Sequence, residues 1–166
     1  MARVFVLMFR AKRLLLVLPA IAILAFDASG CGGGGKDQVT AAELQQKADQ
    51  ACQEEQSRFR EIQATAPANA SDAADQTKAL VQAAENASST MSDLEPPDAL
   101  RAKFDAYLSA RNRSIDQMKK GQDAAENQDS HAYGVAQAAV VKTAPHRKKL
   151  AGDLGFKVCS RNAGAV

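Results

Sequence analysis

The chain has 166 residues, a formal net charge of +2 at pH 7 and an aromatic content of only 5%. This length suits a single domain with a thin core, and it leaves little room for a second domain. Nucleic-acid binding requires a strongly basic face, so the small net charge argues against a nucleic-acid partner. The positive charge is concentrated at the start, because the first thirteen residues hold four cations and no acid.

An apolar run follows this basic segment. Residues 14–26, LLLVLPAIAILAF, carry no charge, but a membrane-spanning helix needs ~20 apolar residues. A basic leader, a short apolar run and small residues before a cleavage site are typical of a secretory signal peptide. The sequence therefore predicts a signal peptide over residues 1–30, starting at Met1 or at Met8. A helix in the core of a globular domain is the alternative.

Cys31 stands directly after three small residues at the end of this segment. The stretch Ala28-Ser29-Gly30-Cys31 resembles the lipobox of bacterial lipoproteins, with Ala28 at the position where that family most often has Leu. The resemblance implies cleavage before Cys31 and attachment of a diacylglycerol thioether, a palmitate-type anchor, to its sulfur. It also implies that the protein is held on the extracytoplasmic face of the cell membrane.

Four glycines follow Cys31, and a segment without side chains behaves as a flexible tether. We assign residues 31–38 to the lipidated cysteine and this tether, and residues 39–166 to a folded domain. The stretch from Gly30 to Lys36 also matches most of a phosphate-binding loop. Asp37, however, stands where that motif needs Ser or Thr, and no strand precedes the loop, so a nucleotide site is not expected.

Removing the leader changes the charge and the cysteine count. The 136 residues from Cys31 onward have a net charge of −1, so the basic balance belongs to the leader. If Cys31 carries lipid, Cys52 and Cys159 remain as an even pair in an oxidising compartment. We predict a disulfide between them, closing a loop of about 107 residues and stabilising the fold by roughly 4–5 kcal/mol. Two buried free thiols are the alternative.

The remaining chain predicts four helices. Capping residues and prolines mark where these helices begin and end. Helices are expected to begin at the capping box Thr40–Glu43, at the N-cap Ser71, at Pro96-Pro97 and at Asp129 or Ser130. The first three are expected to end at Ala66-Pro67, at Pro96-Pro97 and near Asn127. Apolar residues recur at helical spacing between these marks, and no segment alternates as a strand does. Short links between long helices favour an all-α, up-down-up-down four-helix bundle.

The fourth helix and the residues after it raise two further expectations. Pro145 lies inside the helix, where it would introduce a kink; alternatively the helix ends near Thr143 and a short fifth helix follows. Gly155 is expected just beyond the helix end, with Phe156 packing back onto the last turn. In such a bundle the end of helix four lies near the start of helix one, which places Cys159 near Cys52.

The layout of the mature chain also resembles small uncharacterised lipoproteins of actinobacterial type. The motifs that carry this resemblance are the glycine-rich tether, Cys52 in the first helix, the helix start PPDAL and the terminal LGFKVC. The resemblance spans most of the mature chain and implies no particular activity.

Few residues have the pattern of a chemical site. His131 and His146 are the only histidines and stand fifteen residues apart, too far along one helix to share an ion. The chain has no paired-cysteine or His-x-x-x-His motif, and no Gly-x-Ser-x-Gly motif. We therefore expect no catalytic residue, no metal and no cofactor, and a protein that is not an enzyme.

Two groups of residues remain as candidates. Glu55 and Arg111 each interrupt an apolar stripe and would form a small-ligand site if they pair across helices one and three; otherwise they extend to solvent at the stripe's edge. A basic cluster lies late in helix four, where it either complements the helix dipole or docks on anionic lipid or wall polymer. This cluster consists of Lys142, His146, Arg147, Lys148 and Lys149.

These observations predict a lipid-anchored envelope protein, a non-enzymatic interaction or structural module with a protein or polymer partner. The alternative is a lipid-anchored module that binds a small molecule in a pocket between its helices. A pocket lined by convergent polar groups favours the small molecule, whereas an exposed apolar patch on one face of the bundle favours the larger partner.

Overall fold

The computed structural model describes residues 37–161, which form four α-helices. In chain order these are α1 (Ala41–Ile62), α2 (Ala70–Ser92), α3 (Asp98–Glu126) and α4 (Ser130–Asp153). Each helix packs against the next one along the chain. The predicted all-α, up-down-up-down four-helix bundle is therefore confirmed. The predicted signal peptide and the lipid attachment site Cys31 lie outside the described residues.

The start of α1 has the capping box that the sequence indicates. The Thr40 hydroxyl accepts a hydrogen bond from the backbone N–H of Glu43 at 3.2 Å, and the Glu43 carboxylate accepts one from the backbone N–H of Thr40 at 2.8 Å. The Thr40 hydroxyl also donates to the Glu43 carboxylate at 2.8 Å, and the two hydrogen bonds that this carboxylate accepts from Thr40 hold its pKa below the ordinary value. Just before the cap, Gln38 donates to the backbone carbonyl of Pro96 at 3.2 Å, so the chain already contacts the bundle there.

The link between α1 and α2 differs from the prediction at both ends. Helix α1 ends at Ile62, before the expected Ala66-Pro67, and Gln76 of α2 donates to the carbonyls of Ile62 and Thr65 at 2.8 Å each. A side chain distant in sequence thus satisfies carbonyls that the helix end leaves free. The predicted N-cap Ser71 is wrong, because Asn69 caps α2 by accepting from the N–H of Asp72 at 3.0 Å.

Helix α4 begins after its N-cap Asp129, as predicted, and continues through Pro145 to Asp153, so the alternative of a separate fifth helix is wrong. Gly155 follows the helix with φ of +80°. Its N–H donates to the carbonyl of Gly152, and the N–H of Phe156 donates to that of Ala151, both at 2.9 Å. These two bonds form the predicted glycine-terminated helix end and turn the Phe156 ring into the core.

The last described residues lie against α1, where Cys159 forms the predicted disulfide with Cys52; their Cα atoms are 5.3 Å apart. Around this bond lies the larger of two core clusters, which includes the rings of Phe104, Tyr107 and Phe156. The smaller cluster lies further along the helices and contains Val81, Ala84 and Ile115, with Phe59 and Met118 packed against it. Within residues 37–161 no helix combines the length and the apolarity needed to cross a bilayer.

Candidate functional site

Arg111, in the middle of α3, is a charged residue inside the bundle with only 5% of its surface exposed. It lies between the two core clusters, because α3 places Tyr107 of the larger cluster one turn before it and Ile115 of the smaller cluster one turn after it. A buried charge is stable only when it is paired and hydrogen-bonded. The groups around Arg111 therefore define the site.

Glu55 of α1 is the counter-ion of Arg111. The Arg111 Nη2 atom donates to Glu55 Oε2 at 3.0 Å, and the Glu55 side chain is 15% exposed. The same Nη2 lies 3.4 Å from the carbonyl oxygen of Ala84 on α2. The two residues that the sequence singled out thus meet across α1 and α3, and Arg111 points into the bundle rather than toward solvent at its edge.

The other side of the Arg111 guanidinium faces Tyr107 and the disulfide. Nη1 donates to Tyr107 Oη at 3.5 Å and lies 3.9 Å from the sulfur of Cys52. Burial lowers the pKa of Arg111, but the negative charge of Glu55 and the contact with Tyr107 outweigh it, so the net shift is upward. The Nε atom of Arg111 is buried and has no hydrogen-bond partner within the described chain.

A second arginine reaches the same region from α4. Arg147 Nη1 donates to the hydroxyl of Ser114, one turn beyond Arg111 on α3, at 2.5 Å. Burial lowers the pKa of the Arg147 guanidinium, and the positive charge of Arg111 lowers it further. Arginine keeps its proton in proteins because its ordinary pKa is very high, so both guanidiniums stay charged at neutral pH.

These residues line a cavity of about 60 Å³ to which all four helices contribute. Its polar lining consists of Glu55, Arg111, Ser114 and Arg147, and its apolar lining includes Phe59 and Val140. The charged lining holds two guanidiniums and one carboxylate. The cavity therefore carries a surplus of one positive charge.

The basic cluster predicted on α4 is divided among different environments. Arg147 turns inward to the cavity, whereas Lys149 is exposed and pairs with Asp153 of the same helix at 2.6 Å. Lys142 and His146 are exposed on another side of α4, where they line an open groove of about 730 Å³ between α3 and α4. Lys148 is half-buried.

Candidates for metal binding do not come together in the part of the chain that the structure describes. Over residues 37–161 no group of three His, Cys, Asp or Glu side chains has the arrangement of a metal site. His131 and His146 are both exposed on α4.

Sequence reasoning missed Arg147 and Ser114 as members of the site. Arg147 was grouped with the neighbouring cations, although it stands seven residues from both Val140 and Leu154, two members of the apolar stripe of α4. Ser114 likewise stands seven residues after Tyr107. Residues seven apart lie on one face of a helix, so this spacing was the available signal.

Comparison of the chain with protein-family models, curated proteins and solved structures finds no match. A proposal about function therefore depends on the residues of this chain and their arrangement.

Proposed function

We propose that this protein is a lipid-anchored binding module on the outer face of the cell membrane, and that it holds a small ligand between its helices. The observation that carries the proposal is the cavity in which Glu55, Arg111, Ser114 and Arg147 converge from three helices. Buried charges generally add less stability to a core than apolar residues of similar size would. Their convergence on a cavity is therefore better explained by ligand binding than by folding.

The anchor is supported by the leader and by the cysteines. The lipobox-like stretch Ala28–Cys31 provides the attachment site, and the glycines after it provide the tether. Because Cys52 and Cys159 bond to each other, Cys31 is the one cysteine left of the three. This is the arrangement expected if Cys31 carries a lipid and the bundle lies in an oxidising compartment.

Binding without catalysis fits the chemistry of the cavity. Its two guanidiniums stay protonated, and its carboxylate is already hydrogen-bonded to Arg111. The Ser114 hydroxyl accepts its hydrogen bond from Arg147, which cannot act as a base toward it. The polar lining of the cavity thus provides recognition groups, without a base placed to activate a nucleophile.

Mass spectrometry of protein purified from its native membranes tests the proposal. Small molecules released by denaturation would be identified for the wild type, for Ala84→Leu, which fills the cavity, and for Arg58→Gln, an exposed control on α1. We expect one small molecule in near-stoichiometric amount from the wild type and the control, and its loss from Ala84→Leu. Equal recovery from a folded Ala84→Leu protein, or recovery of none from any of them, would contradict the proposal.

The alternative function, binding of a protein or polymer partner, would need an exposed apolar patch on the bundle, and the described surface gives it weaker support. The exposed large apolar side chains of the described residues are Val135 and Val141, at 58% and 71% exposure. They stand six residues apart on α4 and so point about 120° away from each other around the helix. Isolated apolar residues of this kind are normal on a protein surface and do not form a docking patch.

The groove between α3 and α4 favours one second candidate, contact with an anionic surface. Its lining includes the cations Arg113, Lys120 and Lys142 against the single acid Asp116. Cosedimentation with anionic and neutral vesicles tests this candidate, using protein without its lipid anchor. Binding to anionic vesicles that Lys120→Gln and Lys142→Gln together reduce would support it, and binding that both leave unchanged would contradict it.

A further inference from the structure

We propose that the cavity between the helices binds the carboxylate group of a small molecule, held by the guanidinium of Arg147 beside the positive charge of Arg111. This inference rests on the proposed function and deepens it by naming the class of ligand. Its evidence lies in the charge, the free hydrogen-bond donors and the size of the cavity.

The charged side chains that line the cavity have a net charge of +1, which one additional negative group would balance. Arg111 is 5% exposed and its charge is balanced by Glu55 at 3.0 Å. Arg147 is half-buried, and its one hydrogen-bond acceptor among residues 37–161 is the neutral hydroxyl of Ser114. Partial burial lowers the pKa of Arg147 and the positive charge of Arg111 lowers it further, so the charged form of Arg147 is disfavoured there. One singly charged anion beside Arg147 removes this imbalance.

The N–H groups that have no acceptor within the described chain indicate which kind of anion the cavity binds. A guanidinium has five N–H groups in a planar fork, and this fork pairs in two-bond fashion with a carboxylate. Arg147 lines the cavity, is half-buried and uses one N–H of its five on Ser114, so its other N–H groups are available to a ligand. An oxyanion with two acceptor oxygens satisfies such donors, whereas an apolar ligand or a further cation leaves them unpaired.

The size of the cavity limits the group that enters it. About 60 Å³ is available, and one water site takes roughly 10–15 Å³ on this measure, so the space holds roughly four to six small heavy atoms. A carboxylate with its neighbouring carbon fits this space, whereas a sugar phosphate or a nucleotide does not. The single surplus charge also favours a carboxylate over a doubly charged phosphate.

Thermal unfolding of the full chain in mild detergent, at neutral pH and constant ionic strength, tests the assignment with three probes. Acetate carries the predicted group, acetamide has nearly the same shape without the charge, and inorganic phosphate has a larger charge. We expect acetate to raise the unfolding temperature saturably, and acetamide to have no effect. We also expect phosphate to act more weakly than acetate. No saturable effect of acetate, or a stronger effect of phosphate, would overturn the assignment.

The variant Arg147→Gln locates the effect in the cavity, with Arg58→Gln as the matched control that removes an exposed arginine. Losing the charge-assisted bonds of Arg147 is expected to weaken acetate binding by about tenfold or more, and the control is expected to bind as the wild type does. Equal weakening in both variants would show that acetate responds to the overall charge of the protein and not to the cavity, which would overturn the site. Should Arg147→Gln not fold, Arg147→Lys keeps the charge without the fork, and unchanged acetate binding there would also overturn it.

The outcomes separate this inference from the function on which it rests. If a small molecule without an acidic group copurifies from native membranes and acetate has no effect, the binding function stands and the carboxylate assignment fails. If acetate binds as described but Cys31 carries no lipid, the cavity assignment stands and the proposed anchor fails.

Discussion

The carboxylate of Asp49 on α1 holds residues 157–159, which follow α4, against the first helix. Its oxygens accept hydrogen bonds from three consecutive backbone N–H groups, those of Lys157, Val158 and Cys159, at 2.8, 2.7 and 3.2 Å. These N–H groups lie outside any regular helix, and the Asp49 carboxylate is their acceptor in place of a helix carbonyl. Because Cys52 lies one turn after Asp49 on α1, the same contact brings Cys159 to its disulfide partner.

We expect Asp49→Asn to lower the free energy of unfolding by about 2 kcal/mol, because hydrogen bonds to a charged acceptor are worth ~1.5–3 kcal/mol. Urea unfolding followed by circular dichroism measures the change. Glu54→Gln is the matched control, since Glu54 is an exposed acid on the same helix and accepts a hydrogen bond from Gln50 at 3.0 Å. A loss no greater for Asp49→Asn than for Glu54→Gln would show that the contact with residues 157–159 contributes little.

Tyr107 makes the stability of the bundle depend on pH in the alkaline range. Burial raises the pKa of its phenol above the ordinary value of 10.0, and the positive charge of Arg111 only partly opposes this. The folded protein thus holds the phenolic proton more tightly than the unfolded chain does. Its contribution to stability is therefore complete below pH 10 and is lost as the pH rises through the folded pKa.

Phenolate absorbance during an alkaline titration checks this expectation. We expect Tyr107→Phe to remove an absorbance step that lies above pH 10, and to make the loss of stability above pH 10 less steep. Tyr133→Phe, the other tyrosine of the chain, is the comparison variant. If the step that Tyr107→Phe removes lies at or below pH 10, this would contradict the conclusion that burial raises the pKa of Tyr107.

At the scale of the helices, two glycines near the end of α4 have opposite roles. Gly155 has φ of +80°, and a Cβ atom there would lie 2.5 Å from Nε2 of Gln45, which donates to the carbonyl of Leu154. Gly152 lies inside α4, and a Cβ atom there would meet nothing within 4 Å. The first glycine is required by the backbone, whereas the second only weakens the helix.

We expect Gly155→Ala to destabilise the protein by about 1–2 kcal/mol from the left-handed backbone alone, and by more if Gln45 cannot move aside. Gly152→Ala should stabilise it by about 0.5–1 kcal/mol, because alanine is the better helix former. Thermal and urea unfolding of the two variants give both signs. The same sign for both would contradict this account of how α4 ends.

Most helix boundaries were predictable because the residues that set them are close in sequence. The capping box at Thr40, the prolines before α3 and the glycine after α4 each act within a few residues. The end of α1 was not predictable in this way. There Gln76, fourteen residues beyond Ile62, donates hydrogen bonds to the carbonyls of Ile62 and Thr65, and a contact between two helices leaves no local pattern in the sequence.

The candidate site was predictable only in part, for the same reason. Glu55 and Arg111 were visible as charges within apolar stripes, but their distance of 3.0 Å depends on how α1 and α3 pack. Arg147 was hidden among neighbouring cations that face elsewhere. Its role depends on the rotation of α4 about its axis, which the seven-residue spacing to Val140 and Leu154 indicates only when the whole stripe is considered.

At the scale of the whole molecule, the disulfide links Cys52 in the first helix to Cys159 beyond the fourth, across a sequence separation of 107 residues. Half of the buried apolar residues in the described part of the chain are alanines, each of which buries little area, so the core alone contributes modestly to stability. A link that closes a loop of this length restricts the unfolded chain strongly. We therefore expect the stability of the bundle to depend on this bond.

We expect reduction of this bond to lower the free energy of unfolding by roughly 4–5 kcal/mol, according to the loop-closure entropy. Urea unfolding with and without reductant measures the loss, and the double variant Cys52→Ala, Cys159→Ala should show a comparable loss. A reductant should then have no further effect on the double variant. Equal stability of the oxidised and reduced wild type would contradict this role of the disulfide.

Native mass spectrometry of the protein purified from its own membranes tests the central claim, an anchored module with a bound small ligand, most directly. One spectrum reports the mass of the chain and of any molecule held to it. The account predicts a chain that begins at Cys31 with a lipid attached, and an additional small mass that is lost on unfolding. A chain with an intact leader or an unmodified Cys31, and no additional mass, would contradict it.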